Sequence, residues 1–239
     1  MPHLSELPPA PSPNQLKENH LFYRLFKKAE EDHLSSHKQS NLWSEVPTQE
    51  ARLTGTQILD SMWVYTYKID KDYRFVKCKA RLVVRGDQQR NVTAQETYAA
   101  TLAGRSFRMV IAIAARFDLK LKQYDVTNAF AHALIDRLVY MRMPRGYAQL
   151  GKILKLNKAL YGLRISPLLW QRDFTTYLQS RGFTAVPHEP CCMIRRGIFV
   201  FFYVDDIIVM YSKKRGSEAQ VAVEDMKKKY SMTGGDDLH

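Results

Sequence analysis

Phe199-Val200-Phe201-Phe202-Tyr203-Val204-Asp205-Asp206-Ile207-Ile208-Val209-Met210-Tyr211 places two adjacent acids in one of the most apolar stretches of the chain. β-Branched and aromatic residues on both sides predict a hairpin with the acids at its turn. Keeping two carboxylates ionised beside an apolar sheet is costly unless a cation offsets them. The segment alone leaves two readings open: a divalent-metal site, or a plain turn in which Asp is favoured for its local hydrogen bonding.

The chain has 239 residues, enough for one large or two small domains at about 100–200 residues each. Its 36 Lys and Arg against 24 Asp and Glu give a formal charge of +12. Coulomb attraction then favours phosphate-rich partners, or else an anionic membrane surface. No stretch approaches the roughly 20 apolar residues of a membrane span, and the N-terminus is polar and Pro-rich where a signal peptide needs an apolar run. The expectation is a soluble, intracellular protein with no membrane partner. Cys78, Cys191 and Cys192 fit neither a disulfide framework nor a zinc site and are expected as reduced structural thiols, with His188 a loop residue.

Residues 2–13 carry five prolines and little that could enter a core, so 1–13 is expected to be a disordered tail. Leu16, Leu21, Phe22, Leu25 and Phe26 fall at helical spacing and predict an amphipathic helix from Asn14 to His37, with the linker closing at residue 41. Met62–Ile69 and Phe75–Val84 predict a hairpin whose second arm projects Lys77, Lys79 and Arg81, with Arg85 just beyond, from one face. That stripe suits a phosphate grip or an ordinary solvated face. Ser106–Phe117 predicts a buried helix, and Leu119–Val126 a half-buried strand that ends near Asp125. Ser166-Pro167 opens a helix over 167–181 with Gly182 as its stop, and Ser217–Tyr230 a last one with Lys227, Lys228 and Lys229 at its negative end. The pattern is α+β, without a Gly-rich phosphate loop.

Three blocks now point one way: Lys77-Cys78-Lys79-Ala80-Arg81-Leu82-Val83, Gln123-Tyr124-Asp125-Val126-Thr127-Asn128-Ala129-Phe130 and Tyr203-Val204-Asp205-Asp206. Val139–Tyr147, Leu156–Trp170 and Glu189-Pro190-Cys191 lie between them in matching order. From about Leu42 to the end the chain resembles a copia-type retrotransposon reverse transcriptase, with local departures at Gly86-Asp87-Gln88-Gln89 and Leu168-Leu169.

The resemblance implies a right-hand polymerase over 42–239, with fingers from the basic hairpin and a palm of antiparallel sheet backed by helices. It implies RNA-directed DNA synthesis, in which two divalent ions about 3.5–4 Å apart assist transfer of a nucleotide from a dNTP to a primer 3′-hydroxyl. The family pattern assigns those ions, Mg²⁺ or in substitution Mn²⁺, to Asp125, Asp205 and Asp206. Lys79 and Arg81 match positions that hold the triphosphate, Phe130 an aromatic gate against ribose, and Tyr161, Gly162 and Leu163 positions that shape the templating pair. For Phe130 and Tyr161 a packed core aromatic is the other reading. Lys77, Arg85 and Arg164 are the expected nucleic-acid contacts. An RNA template, a DNA primer and dNTP are the implied partners. The chain is expected to stop before the last palm strands, thumb and RNase H, as a fragment to which a partner chain or the element's polyprotein supplies the missing parts. An inactive nucleic-acid-binding relic is the alternative, and a poorly folding pseudogene product a third.

Overall fold

The structure, a computed structural model, describes residues 2–90, 92–100 and 104–238. It divides into two compact units, the first Met1–Val92 with Leu134–Ser166 and the second Thr93–Ala133 with Pro167–His239.

With elements numbered along the chain, the first unit holds α1 (Tyr23–Gln39), β1 (Trp43–Pro47), α2 (Thr48–Leu53), β2 (Ile58–Leu59), β3 (Ser61–Ile69), β4 (Phe75–Val84), β6 (Tyr140–Met141) and β7 (Lys152–Leu156). One sheet runs β1-β7-β6-β2, and β3–β4 form a separate antiparallel ribbon. α1 packs on that ribbon, with Phe26 fully buried and its ring edge-on to Tyr65 at 5.2 Å. The helix begins at Tyr23 and not at Asn14. Asn14 adopts φ 59°, accepts from the Trp63 amide at 2.8 Å and donates its own to the Trp63 carbonyl, so the segment before α1 is pinned to β3 in turns. The tail is also corrected: the Leu4 amide donates to Tyr73 and the Phe75 amide to the Pro2 carbonyl, both pairing with the β3–β4 turn, whose backbone groups need partners.

The second unit holds α3 (Ala94–Thr97), α4 (Gly104–Arg116), β5 (Lys120–Val126), α5 (Ser166–Ser180), β8 (Thr184–Val186), β9 (Glu189–Arg195), β10 (Ile198–Tyr203), β11 (Asp206–Tyr211), α6 (Gly216–Lys229) and β12 (Met232–Asp237). Its sheet runs β12-β5-β11-β10-β9-β8 with every neighbour antiparallel. Met232–Asp237, expected to fall short of the last strands, pairs with β5. Phe201 and Phe202 face opposite sides because strand side chains alternate. Phe201 packs with Leu121, Met210, Cys192 and α4, and Phe202 with the α5 ring of Phe174 at 5.1 Å. α4 is less buried than its composition predicts: only Val110 and Ala114 are buried, while Met109 is 62% exposed, and Phe117, just after it, is 66% exposed.

All three cysteines are buried and unbridged, and burial pushes Cys78 and Cys191 up to about 11 and Cys192 up to about 12. Among the described residues no helix is long and apolar enough to cross a membrane.

Candidate active site

The acid hairpin closes through a two-residue turn, Val204-Asp205, flanked by the pair Tyr203↔Asp206. The adjacent acids therefore differ: Asp205 lies in the turn and is half-buried, whereas Asp206 opens β11 and is exposed. On the other side of β11, Asp206 stands opposite Asp125 of β5. Residues so paired carry Cβ atoms about 4.5–5.5 Å apart on one face of the sheet. Alternation on β5 buries Tyr124 and Val126 on one face and turns Asp125 to the other, where it is exposed. Gln123, two residues earlier on that face, donates from Nε2 to Asp206 Oδ1 at 3.2 Å. The sequence separates Asp125 from Asp206 by eighty residues, and the register brings them side by side.

The turn is strained and then fastened. Val204 has φ 56°, a left-handed conformation costing a non-glycine residue about 1–2 kcal/mol, and β-branching makes it rarer still. Trp170 Nε1 donates to the Val204 carbonyl at 2.6 Å, and the Val126 amide to the Asp205 carbonyl at 2.8 Å. Trp170 is 1% exposed, stacked on Phe174 at 5.2 Å and edge-on to Tyr230 at 5.3 Å. The Tyr230 hydroxyl donates to Asp173 Oδ2 at 2.7 Å, and burial, reinforced by that carboxylate, raises its pKa. Trp170 was legible only as part of a family block. The usable signal was that a buried indole N–H must find an acceptor.

The acids offer only carboxylate oxygens, the donor class that Mg²⁺ takes, so Asp125, Asp205 and Asp206 fit a hard divalent cation in chemistry. Among the described residues, no three His, Cys, Asp or Glu side chains are gathered as a ready-made metal cluster.

In the first unit, β4 alternates as expected: Cys78, Ala80, Leu82 and Val84 are buried, while Lys77, Lys79 and Arg81 lie on the other face. The Arg81 guanidinium stacks over the Tyr161 ring at 4.4 Å. Below β4, the Leu82 amide donates to His33 Nε2 at 3.1 Å, and burial, with His37, Arg81 and Lys79, lowers the His33 pKa to about 3. The end of β4 meets the Tyr161–Gly162 loop through the Val84 amide and the Tyr161 carbonyl at 2.8 Å. This approach requires two glycines: a Cβ on Gly86 would lie 2.0 Å from the Gly162 carbonyl oxygen, and one on Gly162, at φ 93°, 2.0 Å from that of Val84. Arg85 is engaged by Asp87 at 2.6 Å. Arg164 is exposed, its amide held by Gln89 Oε1 at 3.0 Å, while Gln88 clasps Asp60. The departure at Gly86-Asp87-Gln88-Gln89 thus serves as a fastener. In the second unit Phe130 lies in the turn after β5 and is 7% exposed, a packed position. Leu163 is buried at 3%.

Residues 50–237 match the family model described as reverse transcriptase (RNA-dependent DNA polymerase). The chain belongs to this family. Among its relatives is the retrovirus-related Pol polyprotein from transposon TNT 1-94 of Nicotiana tabacum, 33% identical over 187 residues, covering 74% of this chain and 14% of the relative. That from transposon RE2 of Arabidopsis thaliana is 28% identical over 211 residues, covering 84% of this chain and 14% of the relative. The transposon Ty1-DR4 Gag-Pol polyprotein of Saccharomyces cerevisiae is 27% identical over 176 residues, 73% of this chain and 10% of the relative. These matches bear out the copia-type resemblance, and the reverse transcriptase chain spans about a seventh of the first curated relatives it matches.

Proposed function

We propose that this reverse transcriptase chain carries the fingers and palm of an RNA-directed DNA polymerase, with Asp125, Asp205 and Asp206 as its catalytic acids. One observation carries the reading: within a family match over 50–237, the strand register sets Asp206 opposite Asp125 while Asp205 occupies the adjoining turn. Divalent ions bound there would activate the primer 3′-hydroxyl and steady the leaving pyrophosphate. The chain's own contribution is position. Asp125 and Asp206 hold carboxylates on one face at the end of an apolar sheet, Gln123 orients Asp206, and Trp170 and the Val126 amide hold the strained turn so that Asp205 is presented in one geometry.

In the first unit, Lys79 and Arg81 take the triphosphate of the dNTP, the guanidinium held flat by Tyr161, and Lys77 contacts nucleic acid. Arg85 and Arg164 serve as outlying backbone contacts. A larger element polyprotein is the partner context this reading carries, since the curated relatives are Pol polyproteins of which this chain spans about a seventh.

Primer extension on an RNA template with Mg²⁺ or Mn²⁺ tests this. Asp205→Asn should reduce extension by at least about 10²–10³-fold, the range for removing one preorganised electrostatic contact in a transition state. Equal extension by both proteins overturns the assignment, and template binding without extension by either supports the relic.

A further inference from the structure

At the opposite end of β10 from the acids, Arg196-Gly197 turns β9 into β10 with φ 48° and 77°. A cavity of about 850 Å³ opens beside this turn, lined by Arg181, Thr184, Arg195, Arg196, Glu218 and Val221. Three guanidiniums thus face one carboxylate, and that carboxylate is already taken by Arg215 at 2.6 Å. Two of the three are held in place. Arg195 stacks over the buried Phe183 ring at 4.6 Å and donates from Nη1 to the Arg181 carbonyl at 2.7 Å. Arg181 lies over the buried Tyr177 ring at 5.4 Å. The neighbouring Asp225 accepts from Lys228 at 2.9 Å, so it does not neutralise the arginines by itself.

A solvated basic face ordinarily uses mobile, separated cations. Guanidiniums stacked on buried rings have lost that freedom in advance, and their forked N–H donors match phosphate oxygens. Spanning β10 at about 3.3 Å per residue puts the Arg196 turn roughly 17 Å from the acid turn, about five phosphates along one strand of a duplex at about 3.4 Å of axial rise each. We propose that the Arg181–Arg195–Arg196 cavity is a second nucleic-acid site, binding the phosphodiester backbone away from the acid hairpin. It uses none of the three acids and stands whether or not the chain polymerises.

The test is fluorescence anisotropy of a labelled single-stranded RNA on the whole chain, across a salt series. Arg181→Gln/Arg196→Asn removes two cations while keeping a residue that tolerates the left-handed turn at 196. Its slope of log affinity against log salt should fall by about 1.4, at about 0.7 per phosphate contact, with roughly 25-fold weaker binding near 0.1 M salt and an unchanged melting temperature. Arg181→Lys/Arg196→Lys should restore the slope, which separates lost charge from lost folding. An equal loss in Lys17→Gln/Lys71→Gln, exposed cations of the first unit, overturns the proposal in favour of net charge alone. Displacement of RNA by pyrophosphate as effectively as by unlabelled RNA overturns it in favour of a small-phosphate site. Displacement by polyglutamate as effectively as by unlabelled RNA does so in favour of an acidic peptide partner.

Discussion

The β3–β4 ribbon and the β10–β11 hairpin are both antiparallel and both charged, yet they handle charge in opposite ways. On β4 the cations Lys77, Lys79 and Arg81 sit at alternate positions, about 6–7 Å apart along a water-facing strand, where like charges are cheap to keep. In the acid sheet the charge is concentrated at one end: Asp206 faces Asp125 across the strands and Asp205 adjoins it in a turn that strains Val204. A distributed stripe can grip a polyanion of any register. On the proposed assignment these acids take a small, highly charged ion, and the strain at Val204, held by Trp170, fixes the turn that carries Asp205.

Three tests sharpen that contrast, the two kinetic ones in falling order of effect. On the proposed dNTP assignment, Arg81→Ala removes a charge-assisted contact worth about 1.5–3 kcal/mol, so the KM for dNTP in steady-state extension should rise roughly 10–150-fold with little change in kcat. A change confined to kcat would mean that the stripe does not hold the triphosphate. Trp170→Phe keeps an aromatic ring in the packing but deletes the N–H and the second ring, leaving the Val204 carbonyl without its indole donor; kcat should drop about tenfold while KM for dNTP holds. An equal fall for dNTP affinity and turnover would make Trp170 a structural residue only. The third test reads stability against pH rather than turnover. Burial lowers His37 to about 4 and, with nearby cations, His33 to about 3, so unfolding takes up protons below the ordinary value near 6.5. Stability is therefore full above about pH 7 and declines as pH falls toward 4, by up to about 1.4 kcal/mol per pH unit for each histidine. Melting curves between pH 7 and 5 should show the decline, and a flat profile would place both rings in water.

What was legible in the chain follows the range of the forces involved. Alternation revealed both hairpins, and Ser166-Pro167 and Gly182 bounded α5 to within a residue, because these signals are local. The family blocks located the acids but not which of Asp205 and Asp206 sits in the turn, since that depends on register with a neighbour. The β1-β7-β6-β2 sheet went unread because it pairs Trp43 with Leu156 across more than a hundred residues. The Asn14 clasp on Trp63, the Gly86–Gly162 approach and the indole bond to Val204 are equally non-local. Composition also overstated α4, whose apolar side chains outnumber those the sheet covers.

The central claim is that three carboxylates share bound metal. Mn²⁺ binding to the whole chain, followed by electron paramagnetic resonance with Asp125→Asn, Asp205→Asn and Asp206→Asn alongside the parent, tests it most directly. Saturable binding that weakens at least about tenfold in each variant, with folding retained, is the predicted result. Binding that is unchanged when any one of the three is neutralised would contradict the account for that residue, and unchanged binding in all three would end it.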